Sequence, residues 1–173
     1  MGKERLYKYI CAFGFGEKTG IGLPGEGKGI VRHPRYWSPV ALDTISFGQG
    51  ISVTGIQLVA ALSAIANGGS LMRPYAVERI TNEKGETVQS FQPQEIRRVL
   101  SERGARAVAA MLEVTTEKGG TGVGAVPTGY EIAGKTGTAQ KVVLQHIRMP
   151  QETDGAQTRR VVPHVLTGLV LAA

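Results

Sequence analysis

The segment from Gly129 to Gln140, GYEIAGKTGTAQ, fits two different kinds of anion site. Residues 129–136 match G-x-x-x-x-G-K-[ST], a loop whose backbone N–H groups cradle phosphates while the lysine and hydroxyl hold a terminal phosphate and magnesium. Residues 135–138, KTGT, can instead place a cation and hydroxyls along a strand, where they would bind a carboxylate. The elements on either side of the segment decide between these two chemistries.

A phosphate loop needs a helix directly after its lysine, because the N-terminus of that helix forms part of the anion site. Here the lysine is followed by Gly137 and then by β-branched residues that disfavour a helix start. No later strand ends in an aspartate that would hold magnesium. We therefore interpret the phosphate-loop match as coincidence and predict one extended strand over residues 130–140, at the edge of an active-site cleft.

Each residue type of the KTGT segment suits such a strand. Lys135 is a fixed cation for a substrate carboxylate, and Thr136 offers a hydroxyl to the same group. Gly137 has no side chain, so a substrate backbone can lie against the strand. Thr138 can contribute its backbone N–H to an oxyanion hole.

Two helices are predicted before this strand. Thr54 and Gln57 form a capping box at the start of an apolar run that ends at the sequence Asn-Gly-Gly of residues 67–69, which indicates a buried helix. A second helix is predicted over residues 105–118, with Ser101 as its N-cap and two glycines as its stop. Between the helices, residues 75–91 are typical of a hairpin that turns at residues 82–85.

A further glycine-rich stretch, GIGLPGEGKG at residues 20–29, also resembles nucleotide-binding motifs. Pro24 and Gly29 are unsuited to the first turn of a helix, and the chain has 24 glycines, so such matches arise easily. We predict an irregular, turn-rich loop here.

Composition limits the class of protein. With 173 residues, 42% of them hydrophobic and 20% charged, the chain is typical of a globular domain. The net charge of +6 is spread along the chain, which indicates a solvated surface more than a nucleic-acid groove. The single cysteine, Cys11, has no internal partner, the three histidines are far apart, and no run of about 18 apolar residues occurs. We predict no cofactor, no metal, no nucleic-acid partner and no membrane segment within these residues.

Several segments, in this order and spacing, resemble the later part of the transpeptidase domain of class B penicillin-binding proteins. They are FGFGEKTGIGLPGE (13–26), SFGQGISVT (46–54), ANGG (66–69), RP (73–74) and AGKTGTAQ (133–140). The resemblance covers about residues 5–141. It implies an α/β (α+β) fold with an antiparallel sheet and packed helices, related to serine β-lactamases and incomplete at both ends. We expect residues 1–141 to form that part of the domain and residues 142–173 to be a tail without family pattern.

The resemblance also implies a site. Lys135, Thr136, Gly137 and Thr138 match the family's third motif, which would bind the carboxylate of a peptidoglycan stem peptide or of a β-lactam and help to form the oxyanion hole. Residues 46–50 would lie near the cleft, in a role at least as structural as catalytic, and residues 54–68 would be core. The possible cleft-lining residues are Ser46, Phe47, Gly48, Gln49 and Gly50.

The resemblance further implies other cell-wall synthesis proteins as partners. It implies a location at the outer face of the cell membrane, reached through an anchor that these residues do not contain.

Two motifs of the family are absent from these 173 residues. No serine lies three residues before a lysine, so the S-x-x-K nucleophile and base are missing, and no serine is followed two residues later by asparagine, as S-x-N requires. Covalent catalysis needs an activated nucleophile beside its base, so we expect the chain alone to be inactive. For residues 142–173 we expect a shifted reading frame or a gene remnant.

Two alternatives remain open from the residues alone. The chain could be a relative of the serine β-lactamases, which share K-T-G, although the segments 13–26 and 47–50 argue against this. It could also be a non-catalytic basic module that binds anions or peptides through its diffuse charge.

Overall fold

The computed structural model describes residues 1–144, 161–167 and 170–172, with side chains described for residues 1–137. Within these residues the chain forms four α-helices and eight β-strands. The helices are α1 (Lys3–Ala12), α2 (Ala41–Ser46), α3 (Gly55–Ala66) and α4 (Glu102–Val114). The strands are β1 (Ser70–Met72), β2 (Arg79–Thr81), β3 (Thr87–Ser90), β4 (Glu95–Arg98), β5 (Ile132–Gly134), β6 (Thr138–Leu144), β7 (Val161–Thr167) and β8 (Val170–Ala172).

Every strand pair within the described residues is antiparallel. β1 pairs with β4, β2 with β3, β5 with β8, and β6 with β7. Helix α3 packs against β1 and against α4, and α4 packs in turn against β5. The predicted class, helices packed on antiparallel strands, is confirmed.

The core lies where α3, α4 and the short strands meet. Ala64 of α3 and Ala105 of α4 are both fully buried, and Leu71 of β1 is nearly so. Alanines at a helix contact let the two backbones approach closely, because they bring little side-chain volume between them. Ile132 and Ala133 of β5 are also buried, so the strand that leads into the KTGT segment rests on this core.

Helix α3 begins as predicted. The Thr54 hydroxyl accepts a hydrogen bond from the Gln57 N–H, and the Gln57 side chain accepts one from the Thr54 N–H, which completes the capping box. The prediction of a buried helix is confirmed for one face only, since Ala64 is fully buried whereas Val59 is 56% exposed. Only one face of α3 meets the core, while the opposite face stays open despite its apolar residues.

The second predicted helix begins and ends earlier than expected. Ser101 is its N-cap, as predicted, with its Oγ accepting a hydrogen bond from the Gly104 N–H at 3.1 Å. The helix ends at Val114, because the hydroxyls of the next two residues, Thr115 and Thr116, bond to carbonyls of the last turn. Threonine side chains compete for backbone groups in this way at helix ends.

The predicted hairpin is present over β2 and β3. Asn82 Oδ1 accepts hydrogen bonds from the N–H groups of Lys84 and Glu86, each at 3.0 Å, which forms the turn that the sequence predicts.

The prediction of one continuous strand over residues 130–140 is wrong, because the structure has two strands there. The chain forms β5 and β6 with a break at residues 135–137, and the two strands pair with different partners.

The C-terminal residues also form strands. Within the described part of this region the structure has β7 and β8. None of the helices in the described residues has the length and apolar character needed to cross a membrane.

Residues 13–29 form an irregular glycine-rich loop that includes the stretch 20–29 predicted to be irregular, and the Gln57 side chain holds this loop in place. The Gln57 Nε2 donates to the Glu17 carbonyl at 2.6 Å and to the Lys28 carbonyl at 2.9 Å. At Gly29 the backbone has φ +68°, and a Cβ there would lie 2.2 Å from the Ser52 carbonyl oxygen, so only glycine fits. The loop is therefore joined to α3 by hydrogen bonds from the Gln57 side chain to backbone carbonyls of the loop.

Arg97 of β4 holds the start of the same loop. Its Nε donates to the Ala12 carbonyl at 2.8 Å and its Nη2 to the Cys11 carbonyl at 3.2 Å, at the C-terminus of α1. A cation at this end of a helix satisfies free carbonyls and complements the helix dipole. Nη2 also lies 3.7 Å from the Glu17 carboxylate.

We expect Gln57→Leu to lower the free energy of unfolding by about 3 kcal/mol, because it removes the hydrogen bonds that the buried carboxamide makes to backbone groups of Thr54, Glu17 and Lys28. The replacement is similar in size, so lost packing contributes little. Urea unfolding followed by circular dichroism measures the change. Gln89→Ala, at an exposed position of β3, is the control and should change stability by less than about 0.5 kcal/mol. Equal stability of the Gln57 variant and the parent would show that the carboxamide does not hold the loop.

The Glu26 carboxylate should make stability depend on pH. Its pKa lies below the ordinary value of 4.5, chiefly because the Thr19 hydroxyl donates to it, with help from the N–H groups of Thr19 and Gly20. A lowered folded-state pKa stabilises the fold above the unfolded value, and this contribution is lost as pH falls through the folded value. Glu26→Gln should therefore destabilise the protein at pH 7 and do so progressively less below about pH 4.5.

Urea unfolding of both proteins between pH 7 and pH 3 measures the effect. In the Thr19→Val background the difference between Glu26 and Gln should depend much less on pH, since the main cause of the pKa shift is gone. A difference that stays constant from pH 7 to pH 3 would contradict this account.

Candidate active site

The candidate site lies where the chain leaves β5. All three residues of that strand are buried, whereas Lys135 and Gly137 are exposed and Thr136 is half-buried. The buried strand β5 thus positions the short exposed segment 135–137 that follows it. The break between β5 and β6 falls on the first three of the four residues that the sequence singles out, and the fourth, Thr138, begins β6.

The Lys135 ammonium is the free cation of this segment. Its Nζ donates to the Thr136 carbonyl at 2.6 Å, and Lys135 takes part in neither of the two ion pairs found in the described residues. No carboxylate within those residues therefore neutralises the charge. A positive charge at an exposed backbone edge is suited to binding a carboxylate.

Thr136 is oriented by a second threonine. Its Oγ1 lies 3.1 Å from the Oγ1 of Thr121, and either hydroxyl can donate in this bond. Thr121 belongs to the glycine-rich connection between α4 and β5. The Thr136 hydroxyl is consequently held by a residue 15 positions earlier in the chain.

The surface at Gly137 is open. No described atom lies within 4 Å of the position that a Cβ would occupy there. Beyond it, Thr138 begins β6 and is paired with Thr167 of β7. A ligand backbone can thus approach Gly137 without meeting the described atoms.

Two threonines after α4 support the strand beneath the site. The Thr116 Oγ1 bonds to the carbonyls of Glu113, at 2.8 Å, and Ile132, and Thr116 is 9% exposed. The Thr115 Oγ1 bonds in the same way to the carbonyls of Leu112, at 2.9 Å, and Gly134. These hydroxyls connect the end of α4 to β5, and that of Thr115 reaches Gly134, the residue directly before Lys135.

The segment at residues 46–50 is placed at the end of α2. The Ser46 hydroxyl donates to the Asp43 carbonyl at 2.5 Å, and Phe47 is 60% exposed. The N–H of Gly48 donates to the Ile45 carbonyl, and that of Gln49 to the Thr44 carbonyl, both at 3.0 Å. Gly50 follows with φ +97°. These contacts belong to α2 itself, so lining of the cleft by Ser46, Phe47, Gly48, Gln49 and Gly50 stays a prediction.

The structure agrees with rejecting the phosphate-loop reading. Lys135 and Thr136 are followed by β6, so no helix N-terminus is available beside them to complete a phosphate site.

The three supporting threonines were missed from sequence. Thr115 and Thr116 fell inside a helix predicted to reach residue 118, and Thr121 fell in a connection predicted only as glycine-rich. A pair of threonines ahead of glycines at a helix end is a signal that could have revealed them, since such side chains favour bonds to backbone carbonyls there.

Comparison with known proteins identifies relatives of this chain. The family model described as the penicillin binding protein transpeptidase domain matches residues 1–156, which extends beyond the predicted boundary at residue 141. Stage V sporulation protein D of Bacillus subtilis is 49% identical over 143 residues, covering 82% of this chain and 22% of that protein. Peptidoglycan D,D-transpeptidase FtsI of Escherichia coli is 37% identical over 142 residues, with the same coverage of both chains.

A solved structure has the same fold. The crystal structure of penicillin binding protein 3 from Mycobacterium tuberculosis, complexed with ampicillin, matches with a TM-score of 0.73 and 37% identity. The match covers 82% of this chain and 32% of that one. The chain thus spans about a fifth of the length of the curated relatives and about a third of that solved chain.

Thr116→Val should lower the free energy of unfolding by about 1–2 kcal/mol, because it removes the hydroxyl from the buried contact between α4 and β5. The valine keeps the size of the side chain, and Thr116→Ser, which keeps the hydroxyl, should lose much less. Urea unfolding measures both variants. Thr81→Val, at an exposed position of β2, is the matched control. If Val and Ser at position 116 prove equally stable, the hydroxyl does not hold the strand.

Proposed function

Because the chain belongs to the penicillin-binding protein transpeptidase family, we propose that Lys135, Thr136, Gly137 and Thr138 bind the C-terminal carboxylate of a peptidoglycan stem peptide. A β-lactam would bind the same residues through its own carboxylate. The observation behind this proposal is the Lys135 ammonium, which has no carboxylate partner in the described residues and donates to the Thr136 carbonyl in the exposed break between β5 and β6.

Each residue has a separate role in this proposal. The Lys135 ammonium and the Thr136 hydroxyl both donate to the carboxylate, which forms short, charge-assisted hydrogen bonds. Gly137 leaves room for the ligand backbone to lie along the strand. The Thr138 N–H would donate to the oxygen of the reacting carbonyl as negative charge develops on it.

The reaction served by this site is D,D-transpeptidation. A serine attacks the carbonyl of the penultimate D-alanine, the terminal D-alanine leaves, and an amine of a neighbouring strand displaces the serine from the acyl intermediate. The serine and its base are not among these 173 residues, so this chain contributes carboxylate binding and oxyanion stabilisation to the reaction. The whole reaction needs residues that the chain does not include.

The setting of this chemistry is also part of the proposal. Peptidoglycan stem peptides are cross-linked at the outer face of the cell membrane, and the relatives include a protein named peptidoglycan D,D-transpeptidase. We place the chain at that face, working with other cell-wall synthesis proteins.

Carboxylate binding can be tested on the 173-residue chain with N-acetyl-D-alanyl-D-alanine. Titration followed by 15N NMR should shift the amide signals of residues 135–138, and the C-terminal amide of the same dipeptide should bind much more weakly. Lys135→Gln should weaken binding of the acid about tenfold, since it removes a charge-assisted hydrogen bond. Lys84→Gln in the exposed hairpin turn removes the same charge elsewhere and should have little effect.

Intact-mass analysis after incubation with ampicillin is the accompanying measurement. No acyl adduct is expected, because S-x-x-K is absent from the chain. Equal binding of the acid and the amide would overturn the proposed carboxylate site, and a stoichiometric gain in mass would reveal a nucleophile that this account does not contain.

A further inference from the structure

Threonines in the connection between α4 and β5 contact three alternate residues of the chain, at positions 132, 134 and 136. The Thr116 hydroxyl meets the Ile132 carbonyl, the Thr115 hydroxyl meets the Gly134 carbonyl, and the Thr121 hydroxyl meets that of Thr136. The carbonyls of Ile132 and Gly134, two residues apart in β5, point to the same edge of that strand. The connection thus contacts two backbone carbonyls of β5 and one side chain of the site.

The turn that carries Thr121 is itself fixed. The Gly122 N–H donates to the Thr115 carbonyl at 2.8 Å, which closes the turn. At Gly120 a Cβ would lie 2.3 Å from that same carbonyl oxygen, so the backbone can approach this closely only with glycine. Thr121 lies between these two glycines, and its position relative to α4 is determined by backbone contacts.

The direction of the hydrogen bond matters once a carboxylate is present. A carboxylate only accepts hydrogen bonds, so the Thr136 hydroxyl must donate its proton to the ligand. The Thr136 oxygen is then free to accept, and the Thr121 hydroxyl is the described group within reach that can donate to it. A hydroxyl that accepts one hydrogen bond also becomes a better donor of another.

We propose that Thr121 is a positioning residue that holds the Thr136 side chain in one rotamer and turns its proton toward the bound carboxylate. This inference rests on the proposed function, because it assumes that Thr136 binds a carboxylate. Thr121 itself acts through Thr136.

The rotamer of Thr136 provides a test that needs no ligand. Three-bond couplings from the Thr136 Cγ2 to its backbone nitrogen and carbonyl carbon report the populations of χ1. We expect values for a single rotamer in the parent chain and in Thr121→Ser, which keeps the hydroxyl. Thr121→Val should give averaged values. Thr87→Val, at an exposed position of β3, is the control and should leave the couplings unchanged.

Binding of N-acetyl-D-alanyl-D-alanine provides the second measurement. Thr121→Val should weaken binding of the acid about fivefold, with little change for the C-terminal amide, and Thr121→Ser should restore the affinity. Unchanged Thr136 couplings in Thr121→Val, or unchanged affinity for the acid, would overturn the inference. A parent chain that keeps a single Thr136 rotamer but binds the acid no better than the amide would instead overturn the proposed function.

Discussion

The fold depends on one buried carboxamide. Gln57 is 1% exposed, and its oxygen caps α3 while its nitrogen donates to two carbonyls of the glycine-rich loop. That loop has no regular secondary structure of its own, so its backbone groups need partners from elsewhere. The Arg97 guanidinium supplies further partners at the beginning of the loop, where α1 ends. Gln57 at the start of α3 and Arg97 of β4 together fix a loop that has no regular secondary structure of its own.

Local features could be predicted from the sequence, whereas contacts between distant segments could not. The capping box at Thr54, the N-cap at Ser101 and the turn at Asn82 each involve groups within four residues, so a short stretch of sequence contains all the partners. The donation from Gln57 to Glu17 spans 40 residues, and nothing near either residue indicates the other. The capping role of Gln57 was therefore predictable, and its second role was not.

The candidate site follows the same division. The identity of the KTGT segment, and the rejection of a phosphate loop, follow from the residues that come next, because these continue as β6 and form no helix. The break between β5 and β6 depends on which strand each pairs with, and the pairing partners at residues 161–167 and 170–172 lie too far along the chain to be assigned from residues 130–140. Lys135 is thus exposed at the point where the pairing of β5 ends.

The threonines around the site show why a helix end and a strand edge suit each other. A helix leaves its last carbonyls without partners, and a strand edge does the same for alternate carbonyls. Each hydroxyl has a single proton, which Thr115 and Thr116 each share between a carbonyl of α4 and a carbonyl of β5. This sharing ties the strand to the helix through polar contacts that neither element could satisfy alone. The site is therefore positioned by α4 as much as by its own strand.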